Sequence, residues 1–167
     1  MIYQILILYS IHVTNRYQLI KELRPVSEIV ARDTGVSLRF RYVASRRIPR
    51  IAVDSRFLIA SYRPYVKRFE NQRILVIASP QLAYKRYPIS AEQAAICGNL
   101  GVVSLTKSWM DRAALLHGIG HLLGATHTSD ASIMNPSPAE VLSKFSDGAR
   151  YSESSAAEIL TCVSKNR

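Results

Sequence analysis

The order of apolar and polar residues along the chain predicts strands that alternate with helices. Residues 2–9 form an apolar run rich in Ile, Leu and Tyr, which is typical of a strand buried on both faces. Apolar residues then recur at spacings of three and four as far as Gly35, which predicts a helix capped by Thr14 or Asn15. Pro25 falls inside this pattern and is expected to kink or split the helix.

Three further strands follow in the pattern. Residues 36–44 alternate between apolar and basic side chains, which indicates a half-exposed strand. Residues 74–78 are again uniformly apolar and indicate a second buried strand, whereas residues 98–105 indicate a strand entered through flexible glycines. Residues 45–72 give no clear pattern.

Two helices are predicted in the last third of the chain. One spans about 109–123, with Ser108 as its cap and Gly124 at its end, and the other spans 153–163. Residues 125–150 between them are expected to be irregular. Strands alternating with helices, followed by a helical end, predict an α/β (α+β) fold, and 167 residues suit a single domain over 1–167.

The chain is basic, with a net charge of +10, and the excess lies in one segment. Residues 39–86 contain twelve basic and two acidic residues, while the basic and acidic residues elsewhere cancel. A solvated basic surface and a contact with a polyanion or an anionic surface both fit this distribution. The segment carries no zinc-finger, helix-turn-helix or RNA-recognition signature.

Targeting signals and cysteines give weaker indications. The apolar run at residues 2–9 has no basic segment before it and no small-residue cleavage site after it, and no apolar stretch reaches the ~20 residues of a membrane helix. A cytoplasmic protein is therefore expected. A monomer is expected as well. Cys97 and Cys162 allow either one disulfide bridge or two buried free thiols, and the free thiols are favoured.

The clearest chemical signal is the segment HGIGHLLGATH at residues 117–127. His117 and His121 are four residues apart, so a helix places both rings on one face, where they can bind Zn²⁺ at ~2.0–2.1 Å. Gly124 permits a sharp turn that returns His127 as a third ligand and leaves a fourth tetrahedral position open. The alternative is a helix with buried, hydrogen-bonded histidines. The fourth histidine, His12, is interpreted as structural.

This segment resembles the metzincin signature HExxHxxGxxH, and residues 132–136, SIMNP, resemble the Met-turn of that family. The resemblance implies a zinc metalloendopeptidase domain that binds peptide or protein substrates. It also implies a mixed twisted sheet, an active-site helix, a Met-turn around Met134 and a C-terminal helix. The order of elements is similar to compact archaemetzincin-, matrixin- or adamalysin-like domains.

Two finer expectations depend on the same resemblance. The strand through Gly101, Val102 and Val103 corresponds to the edge strand to which metzincin substrates add as an extended strand. The domain would divide into an N-terminal subdomain at about 1–124 and a C-terminal subdomain at about 125–167. The cysteines that archaemetzincins carry after the third histidine are absent, so no subfamily is assigned.

The sequence departs from the signature at Gly118, which occupies the position of the catalytic glutamate. A positioned general base is typically worth ~10²–10⁴-fold in rate, so the chain is expected to be inactive or very slow. It is then a zinc-stabilised module that binds a peptide or partner, an inactivated variant of a protease, or a hydrolase that recruits its base elsewhere. Glu92 and Glu140 are the glutamates nearest the motif in the sequence. A binder of nucleic acid or anionic surfaces through residues 39–86 is the alternative from another class.

Overall fold

A computed structural model describes residues 1–12, 14–46, 48, 73–78, 98–105, 110–135 and 148–165. A strand, a helix and a second strand alternate at the start of this length, as the sequence pattern predicts, and two helices follow the last described strand. The elements, in chain order, are β1 (Ile2–Tyr9), α1 (Arg16–Thr34), β2 (Ser37–Ala44), β3 (Arg73–Ala78), β4 (Leu100–Ser104), α2 (Met110–Leu123) and α3 (Glu153–Lys165).

The four described strands form one sheet in the order β2-β1-β3-β4, and each neighbouring pair is parallel. Ile5 and Ile7 of β1 face the helices, while Leu6 and Leu8 face the other side, and all four are buried. A strand buried on both faces has no polar positions to alternate, which explains the apolar run at residues 2–9. The α/β fold class is confirmed, and no antiparallel strand is found among the described residues.

Helix α1 begins and ends where the sequence places its signals. The side chain of Asn15 accepts a hydrogen bond from the Gln18 N–H at 2.9 Å, which caps the first turn. Gly35 ends the helix in the left-handed region, with φ of 71°. Pro25 lies inside the helix without splitting it: α1 is continuous from Arg16 to Thr34.

Helices α2 and α3 occupy different environments. Residues 113–123 of α2 are buried at every position, whereas α3 buries only one side. Ser152 caps α3 through a hydrogen bond from the Ser155 N–H to its Oγ at 3.3 Å. The described residues 124–135 and 148–152 between the two helices form neither helix nor strand. Ser108, the predicted cap of α2, lies outside the described residues.

Described apolar residues form a core between the sheet and the helices. Strands β1, β3 and β4 contribute their helix-facing side chains, and all three helices contribute theirs. Ile159 and Val163 of α3 belong to the same core as Leu115 and Ile119 of α2. The core therefore draws on both sides of residue 124, and a division into two subdomains at that point stays a prediction.

One expectation about the cysteines is wrong. Cys162 is disulfide-bonded, and the described part of the chain contains no free cysteine. The only other cysteine, Cys97, lies outside the described residues. Local sequence offers no signal for such a bridge, because its two ends are set by tertiary contacts. No helix within the described residues is long and apolar enough to cross a membrane.

Candidate metal centre

Helix α2 carries the first two histidines of the site. His117 and His121 are one turn apart, so both rings project from the same side of the helix. Their side chains are almost completely buried, with 1% and 2% exposure. Polar side chains this deep in a fold require hydrogen-bond or metal partners.

The turn after α2 returns the chain toward these two rings. Gly124 has φ of 113°, a left-handed conformation that strains any other residue. Its N–H bonds to the carbonyl of His121, and the N–H of Ala125 bonds to that of Gly120, both at 2.9 Å. This pair of bonds is the Schellman motif, which satisfies the last carbonyls of the helix and reverses the chain. His127 follows three residues later.

The three imidazole rings meet through their Nε2 atoms. Nε2 of His121 lies 3.0 Å from Nε2 of His117 and 3.1 Å from Nε2 of His127. One ligand atom from each residue lies within 4.8 Å of the other two. Two nitrogens bound tetrahedrally to one zinc at ~2.0–2.1 Å would be about 3.3 Å apart, so the spacing suits a shared ion.

Hydrogen bonds at Nδ1 leave Nε2 as the free nitrogen of His117 and His121. Nδ1 of His117 lies 2.7 Å from the carbonyl oxygen of Ile133, and Nδ1 of His121 lies 2.8 Å from that of Ala125. A carbonyl can only accept, so each Nδ1 carries the proton and donates. In the neutral rings, both Nε2 atoms then present lone pairs toward each other, an arrangement that a cation between them stabilises.

Burial keeps these rings neutral. It lowers the pKa of His117 from 6.5 to about 4, against the opposing effect of the hydrogen bond to Ile133. It also lowers the pKa of His121, with the Ala125 hydrogen bond again opposing. Metal ions bind neutral imidazole, so at neutral pH no proton has to leave before binding. Three imidazoles and no described carboxylate in the cluster form the nitrogen-rich donor set that Zn²⁺ favours.

Met134 lies directly against α2 at Gly120. It is fully buried, and its carbonyl accepts a hydrogen bond from the Thr128 N–H at 3.2 Å. A β-carbon at Gly120 would lie 2.6 Å from Sδ of Met134 and 2.8 Å from Cε1 of Tyr151. Glycine at this position therefore lets the turn that contains Met134 approach the helix.

Gly118 faces the sheet rather than open space. A β-carbon built there would lie 2.6 Å from Cγ2 of Val103, closer than side-chain carbons approach in real structures. Val103 is 1% exposed and belongs to the apolar core. The side chain of Val103 therefore fills the space that a residue larger than glycine at 118 would need.

The predicted substrate strand lies at one end of the described sheet. Gly101, Val102 and Val103 are in β4, which pairs with β3 on one side. All three residues are buried, and the side chains of Val102 and Val103 belong to the apolar interior. Any contact they make with a substrate would use the backbone, and the assignment stays a prediction.

The structure describes part of the basic segment at residues 39–86. Arg39, Arg41 and Arg46 are exposed, and the first two lie on the same face of β2. Arg73, in contrast, is buried and lies over the ring of Tyr3. A polyanion contact through this segment stays a prediction, and Glu92 and Glu140 lie outside the described residues.

Four contacts at this site could not be predicted from the sequence. The carbonyls of Ile133 and Ala125 orient two histidines, Val103 fills the space beside Gly118, and Glu158 of α3 binds Thr126. None of them leaves a local pattern, because each acts through a tertiary contact or through a backbone group that every residue has. His117, His121 and His127 form one cluster, and their role as metal ligands stays a prediction.

Comparison with known proteins shows what the fold resembles. The chain matches no protein-family model and no curated protein. Among solved structures it is similar to an archaemetzincin from Methanopyrus kandleri, with a TM-score of 0.62 and 18% identity over 97% of this chain and 96% of that one. It is also similar to metalloproteinase-II from Bacteroides fragilis, with a TM-score of 0.59 and 13% identity over 96% of this chain and 53% of that one.

A zinc-dependent peptidase from Methanocorpusculum labreanum is a third similar structure. Its TM-score is 0.53, with 16% identity over 92% of this chain and 99% of that one. Identities this low establish likeness of fold alone. In its fold, the chain is therefore similar to zinc-dependent peptidases.

Proposed function

We propose that this chain is a metzincin-type zinc metallopeptidase domain that binds peptide chains and hydrolyses them very slowly or not at all. The observation that carries the proposal is the convergence of three Nε2 atoms, with 3.0 and 3.1 Å between neighbours. They lie on a helix and turn whose sequence resembles HExxHxxGxxH at every defined position except Gly118. The similar folds of an archaemetzincin and two other zinc-dependent or metalloproteinase domains support it.

His117, His121 and His127 would hold the metal in this domain. A bound zinc supplies Lewis-acid chemistry: it polarises a carbonyl and lowers the pKa of water to about 7. The chain's own contribution is to hold the rings of His117 and His121 neutral and oriented, through burial and the carbonyls of Ile133 and Ala125. Met134, buried against α2 at Gly120, acts in this proposal as the Met-turn residue that supports the histidines from below.

The proton-transfer group is the missing component. Gly118 offers no side chain to take a proton from water or deliver it to a leaving amine, which removes a factor of ~10²–10⁴ in rate. The contact between the Gly118 position and Val103 adds a second obstacle, because a glutamate there would overlap Cγ2 of Val103. This crowding supports a domain adapted to work without the base, rather than an active protease altered at one residue.

Substrate would reach the site along β4 in this proposal. An extended peptide could add to the outer side of β4 and form main-chain hydrogen bonds next to the metal. The arrangement would give a domain that holds peptides without cutting them.

The test is a cleavage assay on four matched proteins: the chain, Gly118→Ala, Gly118→Glu and the double variant Gly118→Glu/Val103→Ala. Bound zinc is measured for each, and cleavage of casein is followed with and without a chelator. We expect zinc in the parent chain without chelator-sensitive cleavage, and cleavage in the double variant, which has both the carboxylate and the space for it. Gly118→Ala crowds the same place without a carboxylate and should stay inactive.

Two results would contradict the proposal. Chelator-sensitive cleavage by the unaltered chain would mean that another group supplies the base. Absence of zinc from the unaltered chain would make the histidines structural. Salt-dependent retention on heparin that survives chelation would then favour the polyanion-binding alternative through residues 39–86.

A further inference from the structure

The third histidine is held differently from the other two. His117 and His121 lie on the rigid helix α2, and each Nδ1 donates to a backbone carbonyl. His127 lies on the loop after the helix and is exposed. Within the described residues, its ring makes a hydrogen bond through Nε2 alone, to His121. The position of this ring must therefore come from the backbone on either side of it.

The residue before His127 is fixed by a carboxylate from another helix. The N–H of Thr126 donates to Oε2 of Glu158 at 2.7 Å. The hydroxyl of Thr126 lies 2.8 Å from Oε1 and 3.0 Å from Oε2 of the same side chain. Both donors of Thr126 thus bind one carboxylate, and hydrogen bonds to a charged acceptor are stronger and more directional than neutral ones.

Helix α3 is well placed to hold this carboxylate still. Ile159 and Val163 bury α3 in the apolar core, which fixes the helix against α2. One turn beyond Glu158, Cys162 packs against Gly124 so closely that a β-carbon on that glycine would overlap it. Helix α3 therefore contacts the turn at two points, Gly124 at its start and Thr126 next to the ligand.

We propose that Glu158 is a positioning residue for the third metal ligand: by binding Thr126, it sets the distance of His127 from His117 and His121. This inference rests on the proposed zinc site and assigns no chemical step to the carboxylate. Without Glu158, the Thr126 N–H and hydroxyl would turn to water, and the loop would hold His127 over a range of positions. A site with two fixed ligands and one loose ligand binds zinc more weakly and with altered geometry.

The test measures Co²⁺ binding, because the visible absorption of Co²⁺ reports both affinity and coordination geometry. Glu158→Gln keeps the size of the side chain but leaves one accepting oxygen. Thr126→Val removes the hydroxyl while retaining the N–H, and Thr126→Ser restores the hydroxyl. Glu153→Gln makes the same change on an exposed residue of the same helix and serves as the matched control.

We expect Glu158→Gln to weaken Co²⁺ binding by about 10–100-fold, the usual effect of removing a group that orients a ligand, and to change the spectrum. Thr126→Ser and Glu153→Gln should keep the parent's affinity and spectrum. Thr126→Val should also weaken Co²⁺ binding. The double variant Thr126→Val/Glu158→Gln should lose less binding free energy than the two single variants lose together, since both substitutions break the same contact. If Glu158→Gln does not fold, the Co²⁺ affinities of Thr126→Val and Thr126→Ser are compared instead, and weaker binding by Thr126→Val alone supports the proposal.

Parent-like affinity and spectrum in Glu158→Gln would overturn the positioning role while leaving the metal site intact. Equal losses in Glu158→Gln and Glu153→Gln would also overturn it, since they would reflect a general effect on α3. Failure of the parent chain to take up Co²⁺ would contradict the proposed metal site itself, and the positioning role with it.

Discussion

At the scale of single residues, the site depends on where each imidazole keeps its proton. The carbonyls of Ile133 and Ala125 hold the Nδ1 protons of His117 and His121, so the Nε2 lone pairs face one another. Nε2 of His117 and Nε2 of His121 lie 3.0 Å apart, and both are acceptors, so no hydrogen bond joins them. A proton or a metal ion between the two atoms would remove this unfavourable contact. Burial disfavours the protonated ring of His117, so a metal ion is the favoured species between the two nitrogens.

The stability of the metal-free chain should therefore depend on pH through His117. Its pKa is about 4 in the fold and about 6.5 when unfolded, so the unfolded chain binds more protons between those values. The free energy of unfolding should be fully retained above pH 6.5 and fall by about 3 kcal/mol as the pH decreases to 4. Urea unfolding of zinc-free chain across this range, with His117→Asn for comparison, measures it. Parallel pH profiles for the two proteins would disprove the assignment.

At the scale of elements, helix α2 has no side chain at two positions, Gly118 and Gly120, where other parts of the fold approach its backbone. Glycine costs a helix interior roughly 1 kcal/mol relative to alanine, so helix propensity gives no reason for Gly118 or Gly120. The structure supplies the reason in tertiary contacts: β4 approaches at Gly118, and the turn with Met134 approaches at Gly120. The two glycines let a strand and a turn pack close to the backbone that carries the histidines.

Gly118→Ala should consequently destabilise the fold, although alanine is the better helix former. Overpacking against Val103 costs about 1–3 kcal/mol, which outweighs the gain of roughly 1 kcal/mol in propensity. In a Val103→Ala background the contact disappears, and the same substitution should stabilise by about 1 kcal/mol. Denaturant unfolding of the parent, Gly118→Ala, Val103→Ala and the double variant measures this change of sign in the free energy of unfolding. A stabilising Gly118→Ala in the parent background would show that the space beside Gly118 is open.

The elements also show which features a sequence can predict. The spacing of apolar residues and the capping residues place α1 between Asn15 and Gly35. The four-residue spacing of His117 and His121 places both on one helix face. Both features can be predicted because they are local properties of the backbone. The tie between Glu158 and Thr126 joins residues 32 apart and leaves no periodic trace. The expectation of a free thiol at Cys162 is wrong for the same reason.

At the scale of the whole molecule, Tyr151 connects three helices around the site. Its N–H donates to Asp33 in α1 at 2.9 Å, and its hydroxyl donates to the carbonyl of Leu116 in α2. Tyr151 is buried and lies two residues before Glu153, the first residue of α3. Burial also raises the pKa of the Tyr151 hydroxyl well above 10, so it remains a donor throughout the physiological range.

Tyr151→Phe should lower the free energy of unfolding by about 1–2 kcal/mol, since it removes a buried hydrogen bond and keeps the ring. Zinc affinity should change little, because Leu116 is not a ligand and the ring still packs against Gly120. Chemical unfolding and a zinc titration on the same variant separate the two quantities. A large loss of zinc affinity with unchanged stability would mean that Tyr151 acts on the metal site rather than on the packing of helices.

Zinc bound per chain is the most direct measurement of the central claim that three histidines form one metal site. The chain, His121→Asn and His12→Asn are each loaded with zinc, dialysed against zinc-free buffer and analysed for metal. We predict about one zinc per chain in the parent and in His12→Asn, whose changed residue lies outside the cluster, and almost none in His121→Asn, which removes the central nitrogen of the cluster. A zinc-free parent, or equal zinc in all three proteins, would contradict the account.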